Sequence, residues 1–486
     1  MQKRDLLKNY IFYGLLSIFV FFNIDLSTML LIRISGMNIY YGDIFFFLIL
    51  VIAVWAFFKN YKDWRWTQPV TTWYLLFLAW LALAVIWGWR IYGYRAFGES
   101  RYVLPFFAFF IPYFLLTYKR SDDPALVGKY VRMTTFIAAA AAILFLICSL
   151  IYRKPFYFSA INLKNQKFWV YKIIDSNQAF HIILLAMFIF FLSFFRKKFF
   201  SLPKIVFFLL LLITLPVYNR TAETSLFAAL LVLLMLGKKF REILFACASV
   251  AVIFALLHFV PAIEHFYYSV QSRQRVPAPI HQQMPKANNR QMPDLSRQQV
   301  PAPIHRQMPK ANNQQMPRAN NRQMPDLSRQ RVPDLNIEQV KGMQTGYWRF
   351  YQAKAALRLA LKKPLFGQHL GGYFDFFILE TNEKNIYPPH NQYILTLLKT
   401  GIIGLVLLLV PLLLLLWGLY KALVDERLET NEKSTAWLLL LVLLAQLPYG
   451  MGFGFISLYA IYFGFGAIFI DSLAKKYPLQ LRIKKN

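Results

Sequence analysis

Residues 393–420 read YILTLLKTGIIGLVLLLVPLLLLLWGLY, from Tyr393 to Tyr420, with Lys399 as their one formal charge. Crossing hydrocarbon takes ~20 mainly apolar residues in a helix, because backbone groups left unsatisfied there are too costly for any open structure. The run reads as a membrane-spanning helix. Working outward from it, eleven more runs fit the same description: Tyr10 to Leu26, Asp43 to Phe58, Val70 to Trp89, Tyr102 to Tyr118, Met133 to Tyr152, Ala179 to Phe195, Leu202 to Tyr218, Thr221 to Leu236, Ile243 to Val260, Thr435 to Tyr449 and Gly452 to Ile470. The expected fold is an all-α integral membrane protein of about twelve transmembrane helices.

Composition agrees with that class and excludes most soluble ones. Of 486 residues, 57% are hydrophobic and only 16% charged, against ~25% charged in an ordinary globular domain. A net charge of +31 from 54 Lys+Arg and 23 Asp+Glu suggests a nucleic-acid binder at first sight. The basic residues sit instead in short clusters between apolar runs, which is the pattern of topology signals, so no nucleic-acid partner is expected. Cys148 and Cys247 both fall inside apolar runs, with neither disulfide nor metal spacing around them.

Charge also orients the chain. Lys3, Arg4 and Lys8 precede the first run, which reads as a signal anchor because further spans follow at once. With the N-terminus inside, the inner loops hold Lys59, Lys62 and Arg65; Lys119, Arg120 and Lys129; Arg196, Lys197, Lys198 and Lys204; Lys238, Lys239 and Arg241; and Lys421 and Arg427, while the tail adds Lys475, Lys476, Arg482, Lys484 and Lys485. Both termini are then inside, and the long segment after the ninth span lies outside. The outer loops still carry Arg90, Arg95, Arg101, Arg153, Lys154, Lys164, Lys167, Lys172 and Arg220, against the usual bias. Cations held at an outer face point to an anionic ligand there, with anchoring to lipid phosphates as the plainer alternative.

The outer segment has two unlike halves. VPAPIH recurs at Val276 and Val300 within a Pro-, Gln-, Asn- and Arg-rich repeat that runs from Ser272 to about Leu335. It has almost nothing to bury, and disorder or extended chain is expected. The second half begins with Thr345 to Lys363, TGYWRFYQAKAALRLALKK, an amphipathic helix by the spacing of Trp348, Tyr351, Ala355 and Leu359, with Pro364 as its stop. Arg349 falls beside Ala353, Ala356 and Ala360, small residues that would let a bulky ligand approach. A Gly-rich turn, PLFGQHLGGYFD, follows, and then Pro388 and Pro389 set His390 and Asn391 at the entrance to the tenth span.

The expected division of the chain is therefore 1–260, helices one to nine; 261–344, an outer loop with the repeat at about 272–335; 345–390, an outer helical segment carrying chemistry; and 391–486, helices ten to twelve with a basic tail.

There is no Walker loop, dinucleotide fingerprint, or Asp-x-Asp or Glu-x-Asp pair for a divalent ion. Two arginines, Arg220 and Arg349, and one histidine, His390, remain near the outer face. Guanidinium groups grip phosphate in bidentate fashion and stay charged, so two of them can replace a metal beside a diphosphate. A histidine takes a proton from a hydroxyl near neutral pH. Such a set makes a transferase site without metal or cofactor, with Arg101 and Asn391 as further substrate contacts. Each residue also has a plainer reading: Arg220 as anchor of a tight turn, Arg349 as partner of a loop carboxylate, His390 as a helix cap. His369 in GQHLGG reads as incidental, His181 and His258 as packing residues inside spans, and Asp175, Asn177 and Gln178 as a helix cap.

A dozen spans, an Arg in a short outer turn (YNRTAET), a long outer loop between spans nine and ten, WRFYQAKAALRLALKKPLFGQHLGGY and PPHNQYILTLLKTGIIGL together resemble the O-antigen ligase and polymerase superfamily of bacterial envelopes, most strongly from Trp348 to Leu405. The resemblance implies a GT-C-like architecture with one large periplasmic loop, in the bacterial inner membrane. It implies transfer of a glycan from undecaprenyl diphosphate to an acceptor, with Arg220 and Arg349 holding the diphosphate and His390 as base for the acceptor hydroxyl, inverting the anomeric centre. The repeat insertion and YNRT, where relatives often have a Ser-Arg pair, depart from the family pattern. Without the repeat the chain resembles ligases in size, so the expected activity is ligation of O-antigen to lipid A-core. Polymerisation of repeat units is the alternative, followed by transfer to a protein hydroxyl. A secondary transporter would have twelve spans too, but with similar halves and its long loop after span six.

Overall fold

The computed structural model describes residues 30–34, 37–40, 68–93, 99–116, 123–152, 157–163, 166–172, 176–192, 201–214, 220–236, 239–259, 352–372, 376–378, 383–385, 391–452 and 458–477, together with single residues at 47, 48, 51, 55, 58, 96, 350 and 389. Within these lie α1 (Pro69–Tyr92), α2 (Phe110–Leu116), α3 (Pro124–Tyr152), α4 (Ser176–Leu192), α5 (Leu202–Thr214), α6 (Arg220–Leu236), α7 (Phe240–Phe259), α8 (352–360), α9 (Gln392–Val424), α10 (Thr430–Gly452) and α11 (Tyr459–Lys476). Three local antiparallel hairpins accompany them: β1 (Leu30–Ile34) with β2 (Met37–Tyr40), β3 (Tyr157–Leu163) with β4 (Gln166–Lys172), and β5 (Phe376–Ile378) with β6 (Glu383–Asn385).

Four helices are long and apolar enough to cross a membrane, at Pro69–Tyr92, Pro124–Leu144, Gln392–Val424 and Thr430–Met451. The protein is an α-helical membrane protein. Shorter apolar helices occupy the sixth, seventh and eighth expected runs, and α7 and α11 lie on the ninth and twelfth. The run Tyr10 to Leu26 and the 272–335 repeat lie outside the described residues, and of Asp43 to Phe58 only scattered positions are described. The fourth run departs from expectation. Instead of one helix it holds 3-10 turns at Ser100–Tyr102 and Leu104–Phe109 before the seven-residue α2. Pro105 and Pro112 explain the break, since proline supplies no N–H to an α-helical ladder. The three hairpins are not legible in the sequence either, being short polar-apolar mixtures between long apolar runs.

Without a hydrophobic force between helices in lipid, close contact rests on shape, small residues and hydrogen bonds. Tyr74 of α1 stacks on Phe109 at 4.3 Å and on Phe463 of α11 at 4.4 Å, and Gly464 of α11 lets the Phe109 carbonyl approach. Thr135 of α3 meets the Tyr462 hydroxyl at 3.1 Å, Arg132 donates to Thr435 of α10 at 3.2 Å, and Phe191 of α4 stacks on Trp437 at 4.4 Å. The described residues of α4, α10 and α11 are buried almost throughout, whereas α1 and α9 turn Leu83, Ile86, Leu413 and Trp417 outward.

Ion pairs define one end of this bundle. Gln68 before α1 bonds Asp471 of α11, Lys476 pairs with Glu432 of α10 at 2.8 Å, and Lys204 of α5 pairs with Glu242 of α7 at 2.9 Å. These groups all belong to loops expected on the inner side. At the opposite end, the last turn of α1 meets the Gly-rich segment before α9.

Candidate functional site

Helix α9 begins at Asn391, whose extended backbone (φ −135°, ψ 112°) and side-chain oxygen form the cap, Oδ1 accepting from Ile394 N–H at 3.0 Å. Its carbonyl oxygen is thereby committed to the helix. The Tyr393 hydroxyl donates to the Leu447 carbonyl at 3.0 Å and fastens this first turn to α10.

Two turns further on the helix is broken. Gly401 stands at φ 70°, ψ −172°, a conformation open to glycine and very few others, and it splits α9 into two half-helices. The carbonyls released by the break all find donors. Leu398 O accepts from Gln368 N–H at 2.8 Å, Lys399 O from His369 N–H at 3.0 Å, and Thr400 O from the Trp80 indole at 3.0 Å, while Ile402 N–H donates to Pro364 O at 2.7 Å. Irregular backbone near the membrane is tolerated when protein satisfies it in this way. The Gly-rich segment is thus stitched into the break, and a Cβ on Gly401 would collide with the Leu365 carbonyl.

The same segment climbs along α1. Phe366 faces Trp80, His369 stacks on Trp87 at 5.8 Å, and Gly88 has no room for a Cβ because the Leu370 carbonyl fills the place where it would stand. Gly371, at φ +85°, lies against Tyr92 and Ala96. Burial, and then the nearby Lys363 cation, pull the His369 pKa below the usual imidazole value. The setting therefore disfavours the charged imidazolium. The ring belongs to the packing between α1 and the segment.

A buried ion pair closes the arrangement. Lys399 Nζ lies 2.6 Å from Glu99 Oε2 and donates to the Gly372 carbonyl at 2.9 Å, and the same carboxylate oxygen accepts from Gly371 N–H at 2.6 Å. Sequence reasoning assigns neither residue to the site. The signals it offers are one cation inside the apolar run 393–420 and one acid in FGESRY amid outer-loop cations.

Helix α8 packs on the first half of α9. Ala356 and Ala360 are fully buried with Leu398. This corrects the expectation that the alanines leave room for a bulky ligand: they leave room for α9. Of the expected site residues, Arg349 and His390 lie outside the described residues, directly before α8 and before the Asn391 cap in the chain. Arg220 opens α6, and Arg101 lies in the 3-10 turn two residues after Glu99; their backbones are described and their side chains are not. His181 is buried beside Phe180, both ring nitrogens without a hydrogen-bond partner among the described residues. Among the described residues, no group of three His, Cys, Asp or Glu stands together as a metal site.

What the arrangement offers is a rigid corner at one end of the bundle. There α1, residues 99–101, α8, the Gly-rich segment and the cap of α9 are tied to one another, and the Lys399 and Glu99 charges at its centre neutralise each other. Cations aimed at a ligand would come from its margins, where Arg101, Arg349 and His390 lie in the sequence.

The chain finds no match among the curated proteins. Residues 205–409 match the family described as O-antigen ligase, a stretch that runs from the start of α5 through α8 and the break in α9 and includes Arg220, Arg349, His390 and Lys399. Over that stretch, and in agreement with its apolar helices, the chain is similar to the O-antigen ligase family.

Proposed function

We propose that the protein is an O-antigen ligase that moves a polysaccharide from undecaprenyl diphosphate to a hydroxyl of lipid A-core, on the periplasmic side of the inner membrane and without metal, nucleotide or cofactor. The observation that carries this reading is the family match across Arg220, Arg349 and His390, joined to a corner that ties α8, which follows Arg349 in the chain, to the first half of α9, which follows His390.

In this reading Arg220 and Arg349 grip the diphosphate, and Arg101 and Asn391 complete the contacts to the donor. His390 takes the proton of the acceptor hydroxyl as its oxygen attacks the anomeric carbon from the face opposite the diphosphate. The bond from that carbon to the diphosphate oxygen breaks, the configuration inverts, and undecaprenyl diphosphate leaves with its negative charge held by the two guanidinium groups. Charge developing on the leaving oxygen is the part of the barrier that paired, preorganised cations lower most. A general base within hydrogen-bond reach contributes ~10²–10⁴-fold.

Polymerisation by the same superfamily is the second reading, since attack by a sugar hydroxyl of a second lipid-linked glycan needs the same groups. Lipopolysaccharide from a strain lacking the gene, beside its complemented counterpart, separates them. Bare lipid A-core with long polymer persisting on the carrier supports ligation; core capped by one repeat unit supports polymerisation; an unchanged ladder contradicts both.

A further inference from the structure

The outward side of α8 is not a plain polar surface. At ~100° per residue, Gln352, Ala356 and Ala360 form the stripe turned to α9. Next around the helix comes an exposed apolar stripe of Phe350, Leu357 and Leu361, the last 65% exposed and continued beyond the helix by Leu365 and Phe366. Lys354, Arg358 and Lys362 follow as a third stripe, all exposed. Among the described residues none of the three pairs with a carboxylate. A helix with one side on protein, the next apolar and the next basic suits a boundary between hydrocarbon and anionic headgroups.

Depth supports this. From Ile402 to Tyr420 the second half of α9 is an unbroken apolar stretch ending at Lys421, whose ammonium lies over Trp417. At ~1.5 Å per residue it covers about 28 Å, close to the ~30 Å of hydrocarbon. If Lys421 marks one edge of that layer, the break at Gly401 marks the other. Helix α8 is held at this level by Ala360 against Leu398 and by Pro364 O on Ile402 N–H. Trp87 and Trp89, both turned outward on α1, stand about 10–14 Å beyond Trp80, which meets the break, and so fall in the headgroup layer where such residues are expected.

We infer that α8 lies in the membrane interface, sinking Leu357, Leu361, Leu365 and Phe366 among acyl chains and setting Lys354, Arg358 and Lys362 on the phosphates of anionic phospholipid. The bilayer then completes the support of the segment that joins Arg349 to His390. This goes beyond the proposed reaction and does not depend on it, because the test reads lipid contact and no transfer.

The experiment uses the full chain with Cys148→Ser and Cys247→Ser, a single thiol at Leu361→Cys carrying an environment-sensitive fluorophore, and nanodiscs of phosphatidylcholine with or without phosphatidylglycerol. Quenching by doxyl groups near the headgroup should exceed quenching by groups at the chain end by about threefold, as for an apolar face seated ~5–10 Å into the boundary. Phosphatidylglycerol should strengthen it, and the variant Lys354→Gln, Arg358→Gln, Lys362→Gln should lose that added part. A second label at Arg358→Cys should report a shallower site. Quenching by aqueous iodide but by no lipid would overturn the placement. Equal quenching with and without phosphatidylglycerol, unchanged in the triple variant, would overturn the anionic headgroup as the ligand.

Discussion

Lys399 of the tenth expected span and Glu99 of an outer loop meet at 2.6 Å, and the same carboxylate oxygen takes the Gly371 N–H. Three stretches far apart in sequence are thereby joined at one point. Removing one partner of a buried pair costs ~3–5 kcal/mol because the other charge is left uncompensated. Lys399→Met should therefore destabilise by about 3 kcal/mol, toward the lower end because Glu99 keeps some exposure. Glu99→Gln should cost less, since its side-chain oxygen still accepts from Gly371. Thermal unfolding in detergent checks both, and the double variant should recover part of the loss.

Gly401→Ala should be among the most damaging single-methyl changes in the chain. The positive φ is strained for alanine, by ~1–3 kcal/mol, and the new methyl collides with the Leu365 carbonyl. Gly93 offers the control: its φ is +61°, yet no atom stands within 4 Å of the place a Cβ would take. Gly93→Ala should cost about 1 kcal/mol, and the difference between the two melting temperatures measures the insertion of the Gly-rich segment into the break.

His369 gives a pH dependence whose sign is fixed. Its pKa is lowered in the folded protein by burial and by Lys363, so as pH falls below about 6.5 the unfolded chain takes up the proton first. Stability should therefore fall with pH from that point until the folded-state value is passed, and level off below it. The effect is small because the ring keeps much of its solvent contact. His369→Asn, a residue that accepts the left-handed backbone at this position (φ 62°), should flatten the slope, with a loss that is the same at every pH from the missing stack on Trp87.

The repeat at 272–335 has little to bury and lies between α7 and α8 in the chain. Excising residues 272–330 should leave transfer within about twofold of wild type, in keeping with the thermodynamic tolerance of long surface insertions. Loss of transfer on excision would make the repeat functional.

The apolar runs announce the membrane class and most helix positions, because the ~20-residue requirement of hydrocarbon is written directly into composition. TGIIG belongs to the stretch that carries the family resemblance, but its first glycine's place at a helix break is not legible there, because the break is stabilised by donors from Gln368, His369 and Trp80 and by the Pro364 carbonyl as acceptor, all remote in sequence. The Glu99 to Lys399 pair is hidden for the same reason: pairing across the chain leaves no local period. The alanines of α8 show as a small face, and sequence alone does not say what a small face receives. Asn391 is legible as polar and well placed, and its capping role follows from its own extended φ and ψ, which bring the side-chain oxygen to Ile394 N–H.

Central to the proposed function is transfer of glycan to lipid A-core by His390 and the paired arginines, with no nucleotide or metal. The most direct test reconstitutes the purified chain in proteoliposomes with polymer-linked undecaprenyl diphosphate and lipid A-core, in EDTA and without nucleotide, and follows polymer on core by immunoblot. Wild type should form core-linked polymer, while His390→Ala and Arg349→Ala, each still folded by thermal unfolding, should lose it by at least ~10²-fold. Wild-type rates from His390→Ala, or lengthening of the carrier-linked polymer with none on core, would contradict the claim.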